Sequence, residues 1–293
     1  FAACTSLENI DVAVNNKNYL SIDGVLFNKD KTQIIQYPSA KSDAKEYVIP
    51  NTVISIEEYA FYQCNNLASI TIPEGITSIE NGTFYGCTSL TNITIPEGVT
   101  IIGESAFEYC TSLASISIPE SVEIIEGRVF NGCSSLESIT LPERITNIEE
   151  ETFERCSSLT NITIPKAVTI IEEYAFAECT SLTSINIPSS IRTIEKDAIS
   201  NTTIIYAKLN TEGHRYAEEN KQGYILTYET GDIDGNEMIE ITDFLMLKRH
   251  LVAGNRTNWI LTENSLLAAD INEDGSVDIT DMLMLKREIV ENI

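Results

Sequence analysis

Apolar positions recur at a fixed step through the first two thirds of the chain. Phe61, Phe84, Phe107, Phe130, Phe153 and Phe176 stand 23 residues apart, and Leu67, Leu90, Leu113, Leu136, Leu159 and Leu182 keep the same step. So do the prolines at 50, 73, 96, 119, 142, 165 and 188. Within one unit, Leu90-x-x-Ile93-x-Ile95 alternates apolar and polar positions, the period of a short strand. Pro96 ends that strand, because proline has no N–H to give to a ladder. A second extended piece is expected over 99–102. Ala106-Phe107-x-x-Cys110-x-x-Leu113 then sets apolar residues three apart, which predicts a helical turn on the opposite side. A unit this small cannot bury its own apolar side. Successive units must therefore stack over one continuous core, with their strands aligned as a parallel sheet along one face.

Both ends of the periodic region depart from the pattern. Phe1, Cys4, Leu7, Ile10 and Val12 keep the register, with Ala13 where a proline would stand. The next in-phase proline is Pro50, too far on for one unit, so an insertion is expected near 14–46. Residues 19–30 and 34–37 read as short strands joined by Asp23-Gly24 and Asn28-Lys29-Asp30 turns, a small hairpin-like elaboration. The last unit has Ala198-Ile199 in place of Ala-Phe and no following cysteine. A strand over 203–206 and a helix over 211–222, stopped by Gly223, predict a cap near 199–224 that closes the core. Residues 223–230 carry Tyr224, Ile225, Leu226 and Tyr228, which suits a short, partly packed junction rather than a flexible tether. Because the chain opens in mid-pattern, we read it as a fragment whose leader and further repeats lie upstream.

The repeat resembles the leucine-rich repeats of the BspA-like class of bacterial surface proteins. Pro, Phe, Cys and Leu hold one phase through six units, with Ile before the proline in all but Leu141-Pro142 and Ala before the phenylalanine in three of the six. The resemblance implies an α/β fold: a leucine-rich-repeat solenoid of 23-residue repeats with a parallel β-sheet on one face, covering 1–229.

A different pattern follows. Asp270-Ile-Asn-Glu-Asp-Gly-Ser-Val-Asp-Ile-Thr-Asp281 places oxygen-bearing side chains at loop positions 1, 3, 5, 9 and 12, with Gly275 at position 6. That is the ligand spacing of a calcium loop, in which a hard cation collects oxygens from alternate residues. The candidate ligands are Asp270, Asn272, Asp274, Ser276 through its carbonyl, Asp278 and Asp281. Val277 is apolar and can anchor the loop to a core, with a helix starting around 280–281. The pattern occurs 38 residues earlier as well, from Asp232 to Asp243, and each copy runs into an apolar stretch ending in Lys-Arg. The earlier ligands are Asp232, Asp234, Asn236, Met238 through its carbonyl, Glu240 and Asp243. This loop has Glu237 at position 6, with Gly235 adjacent, which puts its affinity in question.

A tandem pair of loop–helix segments, each without the helix that precedes a true EF-hand loop, resembles a type I dockerin over roughly 230–293. The resemblance implies a small all-α module binding two Ca2+ ions and folding around them. It also implies a partner, a cohesin module of a scaffoldin or anchoring protein in a cellulosome. The residues expected to meet the cohesin are Ile241, Thr242, Lys248 and Arg249, and in the second copy Ile279, Thr280, Lys286 and Arg287. Because both copies carry Ile-Thr and Lys-Arg, either could dock after a half-turn rotation. Leu245, Leu247, Leu283 and Leu285 read as core.

Composition narrows the remaining chemistry. A net charge of −25 over 293 residues argues against nucleic acid, whose phosphates would be repelled. No apolar run approaches the ~18–20 residues that a membrane span needs. Six of the seven cysteines, Cys64 to Cys179, belong to the repeat. Stacked units about 4.8 Å apart bring them within Cα reach of a disulfide, but side chains pointing in parallel miss the Cβ geometry. They read as free, buried thiols filling core space. Neither histidine, His214 nor His250, keeps the repeat, so a metal ladder is not indicated.

The exposed strand positions, such as Asn92, Thr94, Ser115 and Ser117, hold no aromatic residue on which a sugar could stack. They read as a solvated sheet, or else as a surface for a protein. The in-phase rows Glu74, Glu97, Glu120, Glu143 and Glu126, Glu149, Glu172, Glu195 read as solvated faces. No Gly-x-Ser-x-Gly, metal-binding histidine pair or nucleophile with a base is present, so no enzyme is expected. The sequence therefore reads as a non-catalytic extracellular or cell-surface protein, its dockerin bound to a cohesin and its solenoid to an unidentified protein. Two alternatives stay open: a surface adhesin anchored by its dockerin, or the accessory part of a polysaccharide-degrading enzyme whose catalytic module lies upstream.

Overall fold

A computed structural model describes the chain except at residues 2, 43, 44, 209, 228–231, 234–238, 240, 254–267, 273–275 and 292–293. Near the C-terminus the side chains at 249, 250, 252, 253, 288 and 291 are also outside the description. The chain divides into two compact units. One comprises Phe1–Tyr206 with Thr211–Tyr224, and the other Ala207–Asn210 with Ile225–Ile293.

The first unit is the solenoid that the 23-residue step predicts. Its main sheet has six parallel strands: Glu46–Val48, Ser69–Thr71, Asn92–Thr94, Ser115–Ser117, Ser138–Thr140 and Asn161–Ile162. Register follows the repeat, with Ile70 opposite Ile93 and Ile116 opposite Ile139, so the apolar row of every strand faces the same core. The extended pieces after the prolines form two short parallel ladders, in which Ile79, Ile102 and Ile125 align, as do Ile148, Ile171 and Ile194. The insertion is a hairpin. Tyr19–Ile22 pairs antiparallel with Val25–Asn28 across Asp23 and Gly24, both at positive φ. Its third strand, Gln33–Gln36, runs parallel to Ser55–Ile56, so the insertion already supplies a rung of the coil. At the other end, Ile204–Lys208 pairs parallel with Ser184–Asn186. Helix α1 (Glu212–Glu219) provides the expected cap, ending before Lys221 at positive φ.

The segment from Ala106 to Leu113 and its equivalents are not helical. Each is a chain of β-turns with two residues in the left-handed region, at 59, 82, 105, 128, 151 and 174 and again at 63, 86, 109, 132, 155 and 178. The apolar spacing of three fits both structures; the backbone donors separate them. In a helix every N–H stays within the segment. Here they alternate. Cys110 N–H bonds Phe107 O and Leu113 N–H bonds Cys110 O, closing turns. Phe107 N–H instead reaches Val129 O at 3.0 Å and Tyr109 N–H reaches Asn131 O at 2.8 Å, both in the next unit. The left-handed residues aim those amides along the solenoid axis.

Two side-chain columns fill the core behind these turns. The phenylalanine rings stack from Phe61 to Phe176 with centroids 5.3–5.8 Å apart, and Tyr37 extends the stack at 5.3 Å from Phe61. All seven cysteines are free, and the six in the repeat are buried, as expected. Five of them do more than fill space. Cys87, Cys110, Cys133, Cys156 and Cys179 each direct Sγ to the carbonyl of the phenylalanine 26 residues earlier, at 3.0–3.2 Å. That carbonyl also accepts the N–H of the cysteine in its own turn. Burial pushes the Cys133 and Cys179 thiols up to about 12.

A thiol count checks this arrangement. With a disulfide reagent at pH 8, the native protein is expected to show fast labelling of Cys4 alone, which is exposed, and labelling of all seven cysteines in denaturant. Fast native labelling of several thiols would mean that the ladder is not closed. Gly132 gives a second check. It has φ +72°, and an added Cβ would lie 2.5 Å from Cδ1 of Tyr109. Gly132→Ala is expected to cost about 1–2 kcal/mol in denaturant unfolding and to displace the Tyr109 ring.

Candidate functional site

The second unit contains two helices with near-identical sequences, α2 (Ile241–Ala253) and α3 (Ile279–Glu291). They contribute Leu247 and Leu285 to a small core with Ile233 and Ala269, against which Phe244, Val277 and Met282 pack. Val277 thus anchors its loop as the sequence predicts. Leu245 and Leu283 do not join the core; both are exposed. Each lies two residues before a buried leucine, about 200° round the helix, so the helical period turns them away.

The start of α3 is built by its own carboxylates. Asp278 accepts the Thr280 N–H at 2.6 Å, and Asp281 reaches back through Oδ2 to the Asp278 N–H at 2.8 Å. This reciprocal cap leaves the other Asp281 oxygen to hold the loop, accepting the N–H groups of Ile271 at 2.8 Å and Asn272 at 3.2 Å. The Thr280 N–H holds the Asp278 carboxyl below its usual range. In the first copy Asp243 makes the matching bond, accepting the Ile233 N–H at 2.7 Å. Asp243 and Asp281 are both 0 % exposed. The position-12 aspartates therefore close each loop onto the helix that follows it.

Of the candidate ligands, Asp232, Asp243, Asp270, Asn272, Ser276, Asp278 and Asp281 are described; Asp234, Asn236, Met238, Glu240 and Asp274 lie outside the described residues. Among the described residues no three His, Cys, Asp or Glu side chains are grouped to hold a metal ion. The donor chemistry still fits a hard divalent cation, since every named ligand offers oxygen and two of the carboxylates are fully buried. Of the expected cohesin contacts, Ile241, Thr242, Lys248, Ile279, Thr280, Lys286 and Arg287 are all exposed, while the Arg249 side chain is outside the description. In each copy the Ile-Thr pair forms the first two residues of the helix. Ile241 with Leu245, and Ile279 with Leu283, make matching exposed apolar pairs one turn apart.

The solenoid adds two surface features with no counterpart in the sequence reading. Arg128 bonds Glu104 at 3.0 Å, Glu151 at 2.9 Å and Glu150, spanning three units. Arg128 beside it holds the Glu151 carboxyl below its usual range, whereas burial raises that of Glu108. The second feature is a run of tyrosines on the turn face. Tyr59 and Tyr62 meet edge-on at 6.1 Å, Tyr62 and Tyr85 stack at 5.0 Å, and Tyr85 and Tyr109 meet edge-on at 5.7 Å. Tyr62 and Tyr85 keep the 23-residue step, which is the signal that could have found them.

The model of the BspA-type leucine-rich-repeat region matches over residues 32–157 and 102–218. The chain belongs to the BspA-type leucine-rich-repeat family. This BspA-type protein also matches the type I dockerin domain over residues 230–290. Similar solved structures include a leucine-rich repeat protein from Eubacterium ventriosum at 35% identity and TM-score 0.61, covering 69% of this chain and 54% of that one. A leucine-rich cell surface protein from Faecalibacterium prausnitzii has 32% identity and TM-score 0.54, covering 66% and 55% respectively. The pneumococcal vaccine antigen PcpA has 25% identity and TM-score 0.50, covering 76% and 51%. The chain thus spans about half the length of these structures. A search of curated proteins finds no match. Among the described residues, no helix is long and apolar enough to cross a membrane.

Asp281→Asn tests the loop closure. Replacing one carboxylate oxygen by an amide sets N–H against N–H, so unfolding of the C-terminal module, followed at a fixed calcium concentration by helical circular dichroism, is expected to cost about 1–3 kcal/mol less than in the parent. An unchanged midpoint would show that the closure contributes nothing.

Proposed function

We propose that this BspA-type protein is a non-catalytic, extracellular member of a cellulosome-type assembly. Its dockerin, near 230–293, docks onto a cohesin in a calcium-dependent way, and its solenoid, over 1–229, presents a protein-interaction surface. The observation that carries the reading is the type I dockerin match over two loop–helix halves that each close through a buried aspartate. Both recognised modules are interaction modules, which supports a non-catalytic role. The F. prausnitzii relative is described as a cell surface protein, which supports an extracellular location.

In this reading one Ca2+ ion sits in each loop. Asp232, Asp234, Asn236, Met238, Glu240 and Asp243 hold the first, and Asp270, Asn272, Asp274, Ser276, Asp278 and Asp281 the second. The ions fix the loops and so orient α2 and α3. The cohesin then meets Ile241, Thr242, Lys248 and Arg249, or after a half-turn Ile279, Thr280, Lys286 and Arg287. The matched exposed pairs, Ile241 with Leu245 and Ile279 with Leu283, support two equivalent docking faces.

Calorimetric titration against cohesins from the same bacterium tests this directly. Tight binding in calcium, abolished by chelator, is expected for at least one of them. Reversing the charges of Lys286 and Arg287 alone should leave binding intact, and reversing Lys248 and Arg249 as well should remove it. Calcium uptake without binding to any cohesin would sink the docking role.

A further inference from the structure

The face most open to a ligand on a solenoid of this kind is its strand sheet, and here that sheet is lined by serine, threonine and asparagine. The aromatic residues lie elsewhere. Tyr59, Tyr62, Tyr85 and Tyr109 form one contiguous run on the turn face, along the solenoid axis, and each is at least partly exposed. Glycines seat the rings at both ends of the run. Tyr59 lies so close over Gly82 that a Cβ there would be 2.1 Å from Cε1, and Tyr109 crosses Gly132 in the same way. The two end rings stand at 68° and 81° to their neighbours in the run, while Tyr62 and Tyr85 stack on each other between them. Tyr59 and Tyr109 stem from turns two rungs apart, about 10 Å along the axis.

We propose that this tyrosine run is a glycan-binding strip that takes an extended, neutral polysaccharide. Sugars with equatorial linkages present flat C–H faces that pack on aromatic rings, and their hydroxyls need donors and acceptors beside the ring. The strip supplies both. Tyr59 and Tyr109 are the stacking rings. Glu104, Glu108 and Arg128 lie at the Tyr109 end, where Glu104 is already paired with Arg128. The Tyr85 phenol, pushed up to about 12 by burial and by Glu108, keeps its proton as a donor at neutral pH. The carboxylates also set the charge of the ligand, because a polyuronate would be repelled from them. A protein partner fits less well. Protein hot spots sit in broad patches that exclude water, whereas this strip holds only four rings and has the charged Glu104, Glu108 and Arg128 at one end. The inference is independent of cohesin docking.

Affinity electrophoresis of the full chain tests it, in gels containing mixed-linkage β-glucan, arabinoxylan or polygalacturonate. Retardation by at least one of the two neutral polymers and none by polygalacturonate is expected. Tyr59→Ala and Tyr109→Ala should each weaken binding about tenfold, the scale of one lost stacking contact. Tyr109→Phe keeps the ring and should keep most of the binding, and the strand-face double variant Thr94→Ala/Thr140→Ala should bind as the parent does. The proposal is overturned if neither neutral polymer retards the chain, if both alanine variants bind as the parent does, or if the strand-face variant loses binding. Equal retardation by polygalacturonate would overturn it as well. Thermal melts of each variant separate lost binding from lost fold, and cohesin titrations of the same samples keep this result distinct from the docking role.

Discussion

The solenoid depends on how its turns dispose of their backbone N–H groups. A 23-residue unit has too little apolar surface to be stable alone. Half of the amides in each turn segment have no partner within their own unit and find one only in the next. Buried amides left unpaired are costly, so each coil is complete only when its neighbour is in place. The phenylalanine stack and the cysteine ladder reinforce the same dependence. Every interior phenylalanine carbonyl is satisfied twice, by a cysteine amide of its own coil and a thiol of the next. This explains why phenylalanine and cysteine keep their phase so strictly, while the left-handed positions between them tolerate Tyr, Gly, Ser, Arg and Glu.

Much of this architecture is legible in the sequence, because the features that fix it are periodic. The strands, the proline stops, the second extended piece, the buried free thiols and the capping helix all follow from residue type at fixed spacing. The turn segment is misread as helical for a physical reason. Apolar spacing of three reports which side chains face the core, and a helical turn and a double β-turn place them alike. What separates the two is the direction of the amides, set by left-handed residues, and only Gly82, Gly86 and Gly132 mark those positions by type. Most of the tyrosine run is hidden because only Tyr62 and Tyr85 share a column of the repeat, while Tyr59 and Tyr109 come from two others and adjoin them only after stacking. The Arg128 cluster likewise gathers glutamates from neighbouring units.

In the C-terminal module the loop spacing and the Lys-Arg endings identify the element, and the structure adds how it is held. One carboxylate per loop, Asp243 or Asp281, ties down the start of its loop, and Asp281 also caps the helix that follows, so a candidate cation ligand and a helix start share one residue. The exposed Ile-Thr pair of each copy therefore sits on the first turn of a helix that its loop ties down. The leucines that looked like core spacing divide by helical phase, one buried and one exposed in each copy.

The amides that join the coils also give the solenoid a direction. On the turn face three peptide groups per coil, such as those ending in the N–H of Ser105, Phe107 and Tyr109, point along the axis toward the C-terminal end, each bonded to a carbonyl of the following coil. Their dipoles, about 3.5 D apiece, add in three parallel columns as they would in a helix, but with the opposite sense relative to the chain. The turn face is therefore electrically polar from end to end, positive toward the capping helix and negative toward the hairpin. This polarity grows with every coil and owes nothing to a charged side chain, so surface substitutions that alter the protein's net charge leave it in place.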